Sequence, residues 1–531
     1  MQTPRHLPHI FILTLMLSLI LTMHASAANR KLNGPLPAGG DVYNHGFSSD
    51  GRYAVYVADQ DTDDVMELYS VTLAGGAPVK LNAPLTAGGD VKSFWITFDS
   101  QWVVYLADQD TDGVNELYSV PIRGGEVKKI SGSMTAGANV VNYEATENNR
   151  VVYVADQNRD EQFEIFSVAV QGGPVVRLNG DMIPEGDVDK WFFTSFDGAR
   201  VAFKADAEVD DRFELYSAAI TGGPPVKLNG PLPAGGDVNF FLIEPEDRWA
   251  FYIADQDEDE RQELYRVPLT GGNSVKVNAP LTSGGDVQFF SISFHGGRVV
   301  YEADQEQDER RELYSLPVSG GAITKLNGSM PAGGSVADYG FQISIDGSRV
   351  LYQADQDVAG RMDLYSVPTA GGPSTRLTAN LGDSDTLFYG RISFDSQRVV
   401  YTAMSQPARV INLYSVPLRG GPSVRLNPAL SPGQYVNIFD ISRDGQWVGY
   451  LANQDTASAF ELYRVPITGG EAQKVNDPLV TGGEVRHFLF NPKTAQIAYR
   501  ADQEIDEKFE LYLADAGVQP ETKTFLPLIR Q

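Results

Sequence analysis

Nine-residue segments with oxygen-bearing side chains at positions 1, 3, 5 and 9 recur along this chain. Closely alternating carboxylates on a short turn can supply the six to eight oxygens that a calcium ion takes. The best candidates for calcium ligands are Asp59, Asp61, Asp63 and Glu67; Asp108, Asp110, Asp112 and Glu116; and Asp255, Asp257, Asp259 and Glu263. Related sets recur at Asp156, Asp206, Asp304 and Asp502. The pattern thins where Ala359 and Ala457 take the fifth position, and is lost at Met404, Gln406, Ala408 and Asn412. Glycine, which eases a turn, takes the sixth position only at Gly113 and Gly360. Arg212, Arg261, Arg310 and Arg361 at the seventh could neutralise the acids in place of a metal. The competing reading is therefore a solvated hairpin whose Asp side chains bond their own backbone.

These segments also account for the charge. The 531 residues carry 69 acidic and 42 basic side chains, a net charge of −27. The ten segments hold 39 of the acids and only eight bases, so the remainder is close to neutral. An acidic surface of this kind argues against nucleic acid or an anionic membrane as partner. There is no cysteine, which excludes disulfides, thiolate metal sites and cysteine nucleophiles. Residues 1–27 read as a secretory leader: Arg5, His6 and His9, an apolar run from Ile10 to Leu21, then Ala25-Ser26-Ala27. Nothing after it is apolar for long enough to span a bilayer, so the chain is expected to be exported, to the periplasm or beyond, with no membrane span after cleavage.

The elements that position the segments repeat with them. The aromatic of Glu-Leu-Tyr-Ser-Val falls at Tyr69, Tyr118, Phe166, Tyr216, Tyr265, Tyr314, Tyr365, Tyr414, Tyr463 and Tyr512, at spacings of 48 to 51 residues. Each unit carries four short strand signals, a to d, separated by turns. In the second unit these are Val91 to Phe98, Trp102 to Ala107, Glu116 to Pro121 and Val127 to Ile130. Four strands per period of this length predict an all-β propeller occupying 28–531, with one ring of ten blades or two rings of five. Lys31-Leu32-Asn33 is a d-strand tail without its front half. It is expected to complete the tenth blade and close the ring, with Thr522 to Leu526 as the alternative. A meander puts the acidic b–c loops and the d–a crossovers on one face. Strand a carries a central aromatic in nine units, from Phe94 to Phe488 and including Tyr389, expected to pack between blades; His45 takes its place in unit one. Beyond the leader the histidines are His45, His295 and His487. His45 and His487 stand at adjacent, not equal, positions of neighbouring blades, so their rings are expected to point to opposite faces.

The run Asp-Gly-x-x-Val-Val-Tyr-x-Ala-Asp, then Glu-Leu-Tyr-Ser-Val-Pro, Gly-Gly and Lys-Leu-Asn, resembles the TolB-type family of WD-like propeller repeats over residues 30–515. The resemblance implies the propeller fold. This chain lacks the extra α/β domain of TolB and the hydrolase domain of the prolyl-oligopeptidase type, and it has no Gly-x-Ser-x-Gly elbow. The expected function is non-enzymatic: a secreted or periplasmic binding scaffold for a protein or glycan, working through its acidic face or channel mouth. The alternative is a carbohydrate-active enzyme, a lyase or hydrolase, with its site in the channel. An enzyme predicts one or two blades whose inner residues break the repeat as a polar cluster.

Overall fold

The computed structural model describes residues 29–515; the leader reading and Thr522 to Leu526 lie outside the described residues. Forty strands form ten four-stranded antiparallel sheets, and the described residues contain no helix. Nine sheets are a-b-c-d meanders in chain order. The tenth takes its fourth strand from Arg30–Lys31, paired antiparallel as Arg30 with Leu513 and Lys31 with Tyr512. Ring closure by the N-terminal segment is thus the arrangement seen.

Ten hydrophobic clusters hold these sheets, and each lies between two neighbouring blades. Blades five and six pack like every other pair, so there is one ten-bladed ring. Strands b and c are almost wholly buried, because their β-branched and aromatic residues face a neighbouring sheet on both sides. In every blade the strand-b aromatic stacks on the strand-c aromatic with ring centroids 5.2–5.8 Å apart. Such a pair contributes about 0.5–1.5 kcal/mol beyond the area it buries.

Neighbouring a strands meet, as at Phe240–Phe289 (5.5 Å) and Tyr389–Phe439 (5.8 Å). The d strands are two-residue edge pieces, shorter than their sequence signal; in blade two only Lys128–Lys129 pairs. The a strands therefore line the central channel, and the short d strands leave little free edge at the rim.

Candidate functional site

The acidic loops divide their carboxylates among three tasks. Position 1 is buried and accepts two backbone N–H groups. One comes from the d–a crossover: Asp41 donates to Asp59, Asp90 to Asp108 (2.6 Å) and Asp237 to Asp255 (2.5 Å). The other comes from position 6 of the same loop, at 3.2 Å to Asp59, Asp108 and Asp255. Loop and crossover therefore share one face. Position 6 is left-handed in most loops, and residues other than glycine occupy it: Asp64, Glu161, Asp211, Glu260, Glu309 and Glu507 have φ of 58–63°. The bond to position 1 helps offset the strain that glycine would have avoided. The crossover acid in turn accepts from position 8 of the preceding blade's loop, as Asp90 does from Met66 (2.9 Å) and Asp41 from Phe509 (2.6 Å). Neighbouring loops are stitched together through backbone.

Positions 3 and 9 are joined by one lysine from strand d. Lys80 bridges Asp61 (3.2 Å) and Glu67, Lys129 bridges Asp110 (3.4 Å) and Glu116, and Lys276 bridges Asp257 and Glu263, both at 2.7 Å. In blade ten the closing strand supplies it: Lys31 lies 2.8 Å from Glu504 and 2.7 Å from Glu510. The strand-c tyrosine also donates to the position-9 carboxylate, as Tyr69 does to Glu67 (2.7 Å). Arg310 and Arg361 at position 7 add ion pairs to Glu312 (3.3 Å) and Asp363 (3.2 Å). Position 5 lies against a crossover glycine: a Cβ on Gly39, Gly88 or Gly235 would stand 2.5–2.9 Å from the carboxylate of Asp63, Asp112 or Asp259. The four acids of a loop are thus not gathered on one point. The group of acids close enough to hold a metal among the described residues is Asp59, Asp63 and Asp64, with one oxygen from each within 4.8 Å of the others. Asp64 was outside the four-position pattern.

The channel wall is a different surface. Tyr43, Trp95, Trp191, Tyr339, Phe388 and Tyr389 all stand exposed on a strands, with Trp191 71% and Tyr339 69% accessible. These exposed rings lie on the innermost strands; Tyr43 among them reaches the acidic loop, its hydroxyl donating to Asp59 (3.4 Å). A further exposed set, Phe98, Phe196, Phe294 and Phe394, occupies a–b turns on the face opposite the acidic loops.

This region extends one sequence expectation, corrects a second and adds a feature. His45 and His487 do point to opposite faces of their own sheets. Across the seam between blades one and ten that makes them meet, with ring centroids 5.1 Å apart. Burial first, then His487 and Arg500, pushes the His45 imidazole down to about 3. Second, the inter-blade aromatic of blade eight is not Tyr389. The residue paired with strand-b Tyr401 is Gly390, where Phe341 pairs with Tyr352 and Phe439 with Tyr450. Blade eight carries the same bulge as blade two, and Gly390 precedes Tyr401 by the spacing at which Phe94 precedes Tyr105, so Tyr389 falls on the other face and is half exposed. Third, a buried polar group spans blades six and seven. Glu302 lies in strand b, at a position held by Val57, Leu106, Val154, Ile253 or Leu451 in half of the blades and by Lys204, Gln353, Thr402 or Arg500 in the rest; Arg311 stands 3.5 Å away and also pairs with Asp338. Burial pushes the Glu302 carboxyl up to about 8, with Arg311 opposing the shift. In sequence it is the glutamate of Tyr301-Glu302-Ala303, the acidic member of a position that also carries Lys204, Gln353, Thr402 and Arg500.

No family model matches the chain, and no curated protein matches it. Among solved structures, a prolyl endopeptidase matches at 13% identity and TM-score 0.39, over 78% of this chain and 55% of its own length. A protein assigned as TolB from Agrobacterium tumefaciens matches at 17% and 0.28, over 44% of this chain and 80% of its own. An oligogalacturonate lyase solved with manganese matches at 13% and 0.33, over 65% of this chain and 98% of its own. This chain thus spans about half the length of the endopeptidase. Likeness at this level carries no argument about ligand or chemistry, and the fold rests on the ten sheets themselves.

Proposed function

We propose that the protein is an exported, non-enzymatic binding scaffold whose working surface is the channel wall, and that it holds a glycan or polypeptide there. The observation that carries this is the exposure of aromatic rings on the innermost strands, where apolar surface is otherwise costly. The acidic face supports the reading less, since its carboxylates are committed to backbone N–H groups and lysines. Export rests on the leader-like residues 1–27, and among the described residues no helix is long and apolar enough to cross a membrane. Glu302, a carboxyl that burial pushes up, lies in strand b behind the wall, 1% exposed and 3.5 Å from Arg311.

Trp95 and Trp191 make the wall readable by fluorescence. Titration with panels of oligosaccharides and short peptides is expected to quench them. The combined Trp191→Ala, Tyr339→Ala and Tyr389→Ala substitution should weaken the binding about tenfold or more, from lost stacking area. Binding that survives all three substitutions would move the working surface elsewhere.

Calcium enters this reading at the first loop, where Asp59, Asp63 and Asp64 converge. There it would cross-link strand ends. A ligand held only by the native state raises the melting temperature by mass action. Millimolar calcium is therefore expected to raise melting in the wild type and in Asp112→Asn, but not in Asp63→Asn. A shift that persists in Asp63→Asn, or none in the wild type, sinks the first-loop site.

A further inference from the structure

We infer that the cleft between blades seven and eight is a slot for an aromatic side chain of a bound polypeptide. The inference rests on the reading of the channel wall as the binding surface and names one position on it.

In eight of the ten blades a Phe or Tyr of strand a enters the interface with the preceding blade: Phe94, Tyr143, Phe192, Phe241, Phe290, Phe341, Phe439 and Phe488, each paired with the strand-b aromatic. His45 fills the place in blade one. Gly390 holds it in blade eight and fills nothing. A cavity of about 180 Å³ lies there, lined by Phe341, Leu351, Gln353, Leu364, Tyr339 and Tyr389. An apolar hollow of about 150 Å³ in a protein core is already enough to take a benzene ring.

Two further departures from the repeat fall on the same cleft. Between Val336 and Phe341 strand a of blade seven bulges by several residues, where most blades bulge by one. That insertion sets Tyr339 at the rim in a left-handed conformation, φ 52°, which a tyrosine rarely adopts. Phe388 and Tyr389 form the opposite rim. Gln342 donates to the Gly390 carbonyl (2.7 Å) and Gln353 to that of Phe388 (3.4 Å), so two carboxamides of blade seven fix its position against the blade-eight backbone across the cleft. The sister slots show what fits: a six-membered ring hung from extended backbone running along the channel. An extended peptide in the channel presents a ring in the same way.

The test measures binding of blocked Gly-Phe-Gly and Gly-Ala-Gly peptides, with p-cresol as the free ring, to the wild type, Gly390→Phe and, as a control on the face opposite the acidic loops, Phe98→Ala. Burial of one ring corresponds to about tenfold or more in affinity. The Phe peptide is expected to bind the wild type more tightly than the Ala peptide by that factor, and p-cresol should displace it. Gly390→Phe should melt at higher temperature, because it fills the slot, and should lose the preference. The contact it must displace is the mobile end of Leu364, whose Cδ1 would lie 2.9 Å from the new Cβ. Phe98→Ala should keep the preference. Equal binding of the two peptides, or a preference that survives in Gly390→Phe, overturns the slot. If the phenylalanine is not accommodated and that variant fails to fold, displacement by p-cresol in the wild type decides alone. A ligand that binds the wall but ignores Gly390→Phe removes the slot and leaves the wider reading standing; loss of all wall binding removes both.

Discussion

A chain beginning at Pro37 is expected to unfold at a markedly lower urea concentration than the full ring, and over a broader range. The lost segment does four things at once. Its backbone pairs with strand c of blade ten, and Leu32 N–H donates to the Leu511 carbonyl (2.8 Å). Asn33 Oδ1 accepts from Leu511 N–H (2.8 Å). Leu32 and Leu36 sit in the seam core with Tyr56, Tyr69 and Leu513. Lys31 neutralises Glu510, which is 4% exposed and would be left without its cation. Stranding a buried charge costs about 3–5 kcal/mol, and each buried leucine lost about 2–5 kcal/mol. Two point variants grade the effect: Leu32→Ala within the leucine range, and Lys31→Met within the charge range. An unchanged urea midpoint for the truncated chain would show that the ring does not depend on this closure.

The second large effect is acid sensitivity centred on His45. Its ordinary value is 6.5, and burial with His487 and Arg500 nearby holds it down to about 3 in the folded state. A base whose folded value is depressed contributes full stability above 6.5 and loses it as pH falls towards 3, because the unfolded chain binds the proton more readily. At pH 4 the loss is about 3 kcal/mol, at 1.36 kcal/mol per unit. His487, also held low by burial, adds in the same direction. His45→Phe installs the ring type found in most other blades and removes the titration. The variant should melt well above the wild type at pH 4, with the gap shrinking as pH rises through 6.5 and constant beyond it. A gap independent of pH would show that the imidazole does not titrate on unfolding as the seam requires.

The period of about 49 residues, the four strand signals and the orphan Lys31-Leu32-Asn33 made the ring and its closure legible in the sequence, because a propeller writes its architecture into repetition. The duties inside the acidic loop were not legible. Asp59, Asp61, Asp63 and Glu67 look equivalent along the chain, and only the approach of Asp41 and Lys80 separates them. The lysine was visible in every Lys-Leu-Asn tail, but its partners lie 13 and 19 residues earlier and carry no local signal. Blade eight was legible too, by counting: Gly390 precedes Tyr401 by the spacing at which Phe94 precedes Tyr105, and the aromatics Phe388 and Tyr389 beside it mask the glycine. Alternation placed His45 and His487 on opposite faces correctly; that the rings meet follows because one sheet's forward face is its neighbour's rear face.

Among the described residues, every hydrophobic cluster belongs to an interface, and none to a blade by itself. A blade cut out of the ring would therefore have no core, while any nine consecutive blades would keep most of theirs. Couplings of this kind are nearest-neighbour terms, as in linear repeat proteins. The pairing of Arg30–Lys31 with Leu513 and Tyr512 joins the two ends of that series. A linear array frays from its terminal repeats; a circular one has no terminal repeat, so opening anywhere must break two interfaces. The position of the termini is then largely a matter of genetics rather than mechanics, and circular permutants cut at a d–a crossover inherit the same ring of couplings.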